Sequence, residues 1–203
     1  MIMKYIKYIL IAVVAIVAVW FSFWTENLTE HRQKAHYGEY KPEEVVDYCW
    51  TNKMQELEDR ALSVEDFQNG LSTDAADFCS KHGRVLGIGS NTFFIVKGAL
   101  ENININDEEI TGICEGLKVS IPVKHIFGNT AREASGWFDI DDFKNTMDFN
   151  AVSEALNKRL TENIHKQLTA IKGNEINFLG AVEVNPDKLA PGSLTVIPFS
   201  IKK

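Results

Sequence analysis

The sequence predicts an α+β protein: an N-terminal membrane helix followed by a small antiparallel sheet that curls toward a barrel and is packed with helices. Three observations predict it. A 17-residue run, Tyr8 to Trp24, carries no charge. From residue 84 to 127 the composition shifts to β-branched and aromatic residues with interspersed glycines. A long amphipathic stretch near 147–171 is then followed by two more strand-like segments. Helices, several strands, one long helix and two strands, in that order, suit an antiparallel sheet with helices gathered against it. The regular βαβ alternation of a doubly wound nucleotide fold is absent.

The apolar run spans roughly 25 Å as a helix, and beginning at Tyr5 with Lys7 snorkelling brings it near the roughly 30 Å hydrocarbon core. Tyr5 and Tyr8 at one end and Trp20, Phe21, Phe23 and Trp24 at the other suit the two interfaces. Lys4 and Lys7 precede the run, which predicts a single-pass signal anchor over 1–24 with its N-terminus cytoplasmic and the rest outside. The bulky aromatic end lacks the small-residue cut site of a cleaved signal peptide. No cysteine stands near it for lipid attachment.

Residues 25–41 are polar and mixed in charge and read as a stalk, leaving 42–203 as one extracytoplasmic domain. Pro42 opens a helix, with Glu43 and Glu44 at its positive end. Val45, Cys49, Met54, Leu57 and Ala61 continue it at helical spacing. Ser63 and Asp66 resemble a capping box for a short helix reaching Leu71, and a third helix runs from about Thr73 to His82, ended by Gly83. Arg84–Ile88, Thr92–Ala99 and Gly116–Val123 read as strands, with Asn106-Asp107 as a turn. Gly128–Gly136 reads as a polar, small-residue segment and Trp137–Ile140 as a further strand. Phe149, Val152, Leu156, Leu160, Ile164, Leu168 and Ile171 mark the long helix, closed by Gly173. The final strands fall near Glu175–Val184 and Ser193–Ile201.

The chain has 28 acidic and 21 basic residues, a formal net charge of −7. Without Lys4 and Lys7 the remainder is more acidic still, and such a body repels phosphate backbones, so nucleic-acid binding is excluded as a general function. Three cysteines are too few for a disulfide scaffold. Cys49 falls on the apolar stripe of the first helix; Cys79 and Cys114 remain open as a pair or as free thiols.

The segment Gly128-Asn-Thr-Ala-Arg-Glu-Ala134, then Asp142-Phe-Lys-Asn145, then Ala155-Leu-Asn157 on the long helix, resembles the predicted periplasmic lipoprotein family known as domain of unknown function 2291. Arg132, Glu133 and Ala134 match its Arg-Asp-Ala, and Phe143 and Asn145 its Phe-x-Asn. The resemblance covers residues 40–202, with Tyr48 and Trp50 as an early aromatic pair and Gly87-x-Gly89 as a strand opening. Thr146 stands where the family has Gln, and this chain lacks the family's N-terminal lipidated cysteine. The resemblance implies an OB-like small barrel and association with sugar-type ABC uptake systems. It carries no activity.

The candidate ligand- or partner-binding residues are Arg132, Glu133, Asn145 and Asn157. A guanidinium at a barrel mouth grips carboxylate, phosphate or hydroxyl in a bidentate fashion; equally, Arg132 orders the Gly128–Gly136 segment through an ion pair or backbone capping. Asn145 and Asn157 present amides to a polar ligand, while Asn145 is also placed to cap the long helix. Asp139, Asp141 and Asp142 lack the Gly and distal Glu of a calcium loop, with Phe143 at the third ligand position. No histidine pair has metal spacing, so no metal or other cofactor is expected. Gly87-Ile-Gly89 lacks the third glycine of a dinucleotide loop, and no Gly-x-Ser-x-Gly elbow is present. Catalytic residues are therefore not expected. The reading is a binding or accessory module of solute uptake, whose partners are the bilayer and a transport complex or small polar ligand. The alternatives are a structural envelope assembly protein and an anchored hydrolase or transferase.

Overall fold

The computed structural model describes residues 40–85, 91–169, 171, 173–186 and 192–203. The chain divides into two compact units, Met1–Tyr40 and Lys41–Lys203, and every element below belongs to the second. The expected membrane helix over 1–24 and most of the stalk lie outside the described residues. Among the described residues no helix is long and apolar enough to cross a membrane. The N-terminal membrane helix is therefore unsupported, and the fold class is corrected to a mixed helix and sheet domain.

Helix α1 (Pro42–Arg60) opens with proline and two glutamates and buries Val46, Cys49 and Leu57. Strand β1 (Leu62–Ser63) leads into α2 (Val64–His82), whose first turn is capped by Ser63 accepting from the Asp66 amide. α2 breaks at Asp74, where the backbone leaves the helical region. The Asp74 carboxylate caps the second half by accepting from the Asp77 amide. The two short helices expected from the sequence are thus the two halves of one kinked element. β2 (Arg84–Val85), β3 (Thr92–Ile105), β4 (Glu109–Cys114) and β5 (Leu117–Pro122) follow. The Asn106 turn holds through its side chain, which accepts from the Glu108 and Glu109 amides.

Three local expectations are corrected. β4 was not expected, because Gly112 interrupts its apolar alternation of Ile110 and Cys114. Residues 128–136 contain a helix, α3 (Thr130–Ser135), which ends on Gly136 in the left-handed conformation. Trp137–Ile140 forms no strand: Ile140–Asp142 is a single 3-10 turn closed by a capping box between Asp139 and Asp142. The long helix α4 is Thr146–Leu168. Beyond it lie β6 (Glu175–Val184), β7 (Ser193–Thr195) and β8 (Ile197–Lys202).

The sheet is mixed rather than wholly antiparallel. β4 and β6 both run against β3, β5 against β4, and β8 against β6. Both β5 and the last strand therefore run in the direction of β3. Where they meet, β7 pairs with β5 in parallel, Lys118 opposite Ser193 and Ser120 opposite Thr195, and the Val196 amide donates to Ser120 O at 2.9 Å. β7 and β8 are successive pieces of one segment, so the neighbour order β3-β4-β5-β7/β8-β6 returns to β3 and makes a small barrel. β3 can serve the ring twice because it bends. Its register with β4 shifts between Glu101 and Asn104, and Asn102 there adopts φ 52°. Gly180 lies where β6 shifts register against β8; a Cβ there would stand 2.8 Å from Ile197 O.

Two cores follow from the strand alternation. Phe94, Val96 and Leu100 of β3, with Ile110, Val119, Ile121, Ile176, Phe178, Val182 and Ile201, fill the barrel and are joined by Val64, Phe67 and Cys79 from α2. The opposite side chains of the same strands, Phe93, Ile95, Leu179 and Ala181, are also buried, and Phe199, at the register shift of β8 against β6, is buried as well. α1, α3 and α4 make their sheet contacts chiefly with β3, β6 and β8. In α4, Leu156, Leu160 and Ile164 are fully buried, as the helical periodicity predicts.

Past Pro122, β5 no longer accompanies the last strand. α4 takes its place with two amide side chains one turn apart: Asn163 Nδ2 donates to Phe199 O at 3.0 Å, and Gln167 Oε1 accepts from the Ile201 amide at 2.8 Å. Residues 199 and 201 direct their backbone groups to the same edge, so the pair supplies what one residue of a parallel neighbour would.

Candidate functional site

The residues singled out by sequence are held within the fold around α3 and the start of α4. Arg132 and Glu133 are buried, 7% and 2% exposed. Arg132 Nε donates to Glu133 Oε1 at 2.9 Å and Nη2 donates to the same oxygen. Nη1 donates to Phe149 O at 3.3 Å and to Ser153 Oγ at 2.6 Å. The guanidinium carbon stands 3.7 Å from the centre of the Phe149 ring. Arg132 thus fastens α3 to the first turns of α4 and is neutralised by its sequence neighbour. A second arginine finishes the same helix: Arg60 Nη2 donates to Ala134 O, at 2.6 Å, and to Ser135 O, the last carbonyls of α3. Burial, reinforced by the nearby Arg84 guanidinium, pulls Arg60 below the usual arginine range.

Asn145 is the N-cap of α4. Its Oδ1 accepts from the Asp148 amide at 2.9 Å and its Nδ2 donates to the Asp148 carboxylate. Asn157, three turns on, donates to Gly128 O at 2.9 Å and tethers the loop before α3. The structure therefore brings Arg132, Glu133 and Asn157 to one α3–α4 junction and leaves Asn145 at the helix start. A shallow trough of about 610 Å³ lies beside that junction, where Phe127, 74% exposed and stacked on His125, faces Ser153 and Asn157.

Asp139 and Asp142 cap the 3-10 turn through each other's backbone, and no cluster of metal-type ligands occurs among the described residues. All three cysteines are free and buried. Burial raises the Cys114 thiol to about 11. Cys79 hydrogen-bonds Thr92, and Cys114 lies against Gly98 and the Ala99 backbone. Those contacts are six residues apart along β3, roughly 20 Å, so the two cannot form a disulfide.

A larger cleft, about 790 Å³, was not foreseen from sequence. Its floor is apolar, from Phe67, Leu71, Leu117 and Leu194, and its rim carries Gln68, Asn69, Ser72, Ser193 and Thr195. At one side stands Glu183. Asn91 Nδ2 donates to its Oε1 at 2.5 Å and Thr130 Oγ1 to its Oε2 at 2.9 Å, while Asn185 donates to Asn91 Oδ1. The contributing positions, 67–72, 117, 130, 183–185 and 192–197, are scattered along the chain, and none forms a motif. The one available signal is Glu183 itself, a charge set between Val182 and Val184.

The family profile described as predicted periplasmic lipoprotein, domain of unknown function 2291, matches residues 13–202. The chain belongs to that family. No curated protein matches it. Among solved structures, a crystal structure of an OB-fold protein from Thermotoga maritima is similar over 81% of this chain and 99% of its own, with a TM-score of 0.70 and 24% identity. That likeness bears on the fold, and it agrees with the strand order above: five barrel strands, a helix between the third and fourth, and the third and fifth in parallel. The family description gives a periplasmic, membrane-associated setting and no activity.

In OB barrels ligands lie against the second and third strands and the loops joining strands one to two and four to five. In this member of the family the cleft sits at the start of the third barrel strand (Leu117), along the fifth (Ser193–Thr195), and at the flanks of the four-to-five connection, Asn185 and Gly192. The buried Arg132–Glu133 pair lies on the helical side of the fold.

Proposed function

We propose that the domain is an extracytoplasmic binding module, not an enzyme, that holds a small polar ligand in the cleft between α2 and β7 and serves solute uptake as an accessory. The observation that carries this reading is the cleft: its size, its apolar floor and hydrogen-bonding rim, and its position on an OB barrel fit a small-molecule site. The association with uptake comes from the family resemblance and fits a module that meets its ligand outside the cytoplasm.

The test is native mass spectrometry of the full-length chain purified from envelope membranes in mild detergent. A retained small molecule is expected, and it should be lost from Ser193→Trp, which places an indole in the cleft without touching either core. Equal retention by the parent and the variant would move the site elsewhere; a parent that carries and binds nothing would remove the binding reading.

A further inference from the structure

The charge distribution of the cleft narrows its ligand. Among the described lining residues Glu183 is the one charged group; the rest are amides, hydroxyls and hydrocarbon. No lysine, arginine or histidine forms an ion pair with it among the described residues, although Lys41, Lys81, Lys124 and Lys202 each pair with a carboxylate elsewhere. Both oxygens of Glu183 accept a neutral donor, Asn91 at one and Thr130 at the other. Those bonds fix the plane of the carboxylate, no described cation neutralises it, and each oxygen keeps acceptor capacity. The carboxylate, held by Asn91 and Thr130, stands at the side of a cavity whose floor is Phe67, Leu71 and Leu194.

We propose that the cleft takes a small organic cation, its ammonium group against Glu183 and its body along the apolar floor. This rests on the reading of the cleft as a ligand site. An anionic ligand meets a negative charge of the same sign that no described cation pairs with. A neutral ligand of the same shape covers that charge, removes its water and returns no opposite charge. A monocation supplies the counter-charge and donates to the free lone pairs, and the hydroxyls and amides of the rim serve polar groups on its body.

The test uses the full-length chain in detergent and two pairs of compounds that differ in ammonium against hydroxyl: tyramine with tyrosol, and phenethylamine with 2-phenylethanol. Binding is measured calorimetrically at low and at physiological salt. The ammonium member should bind at least tenfold more tightly, the preference should shrink with salt, and Glu183→Gln should abolish the preference. Ser193→Trp should weaken whichever compounds bind. If both members of each pair bind equally and both are weakened by Ser193→Trp, the cleft remains a site and the assignment of charge is overturned. If no compound binds, or binding is indifferent to Ser193→Trp, the cation assignment and the cleft reading fall together.

Discussion

The helical side of the barrel and the cleft side both carry polar side chains, and they differ in where the bonds end. Around α3 and α4 the bonds end within the chain. Arg132 ends on Glu133, Ser153 and Phe149 O; Asn157 on Gly128 O; Asn163 and Gln167 on the edge of β8; Asn145 on the first turn of α4. At the cleft, Glu183 is oriented by Asn91 and Thr130, yet no described cation neutralises it. A charge matched by its opposite in a dry site is architecture. A charge oriented by neutral donors beside an open cavity is available. The family-like motif falls on the first kind of residue, because fixed architecture leaves short local motifs. The second kind is assembled from separate elements.

The strongest way to sharpen this contrast is to break the buried pair. Arg132→Ala leaves Glu133 buried without its counter-charge, and such a loss costs about 3–5 kcal/mol. Arg132→Lys keeps the charge and loses the planar fork that reaches Glu133 and Ser153 together, so a smaller loss is expected. Urea unfolding of the full-length chain measures both. The folded fraction of either variant should bind cleft ligands as the parent does. A loss below about 0.5 kcal/mol for Arg132→Ala, the range of surface positions, would remove the pair from the architecture and erase the contrast.

The next effect lies at the β8 edge. Asn163→Ala combined with Gln167→Ala leaves Phe199 O and the Ile201 amide without their partners, at about 1–3 kcal/mol for each buried group left unsatisfied. The same change frees a strand edge, so light scattering should show self-association at concentrations where the parent is monodisperse. Stability lost without any gain in association would mean that the bulk of α4, rather than its two amides, guards the edge.

Much of the fold was legible because it rests on local patterns. The stripe of Leu156, Leu160 and Ile164 gives α4, and Ser63, Gly83 and Asn145 mark helix ends through capping chemistry that needs only neighbours. β6 is legible from its alternation, and Asn106 from its turn. β4 was hidden because Gly112 sits where an apolar residue would complete the pattern. α3 was hidden because a six-residue helix of small and charged residues has too few turns to show a period; its stability comes from Arg60, Arg132 and Gly136, two of them distant or buried. The parallel contact of β5 with β7 depends on the route of the whole chain. The amides Asn163 and Gln167 did leave a trace, spaced one turn apart beside the apolar stripe. Among the candidate residues, Arg132, Glu133 and Asn157 meet at the α3–α4 junction, but sequence could not tell a satisfied arginine from an available one, since that difference lies in Ser153 and Phe149. The cleft, drawn from five separate stretches, left no trace beyond the charge of Glu183 between Val182 and Val184.

The smallest expected effect is the stability change of Glu183→Gln, and it decides whether the contrast holds. Glu183 is exposed at its position on β6, while its neighbours Val182 and Val184 hold the strand in the core. Glutamine is nearly isosteric. Its carbonyl oxygen can still accept from Asn91, and the Thr130 hydroxyl can rotate to accept from the new amide, since a hydroxyl both donates and accepts. The network then keeps its shape and loses its charge. Because no described cation pairs with Glu183, removing that charge leaves no partner stranded, unlike the loss of Arg132. The unfolding free energy should therefore stay within about 0.5 kcal/mol of the parent, as at surface positions away from special features, while cation binding falls. If urea unfolding instead shows a loss of more than about 1.5 kcal/mol, Glu183 holds the β6–α3 contact as Arg132 holds α3 to α4. Both regions would then be architecture, and weaker cation binding by the variant could no longer be assigned to the missing charge.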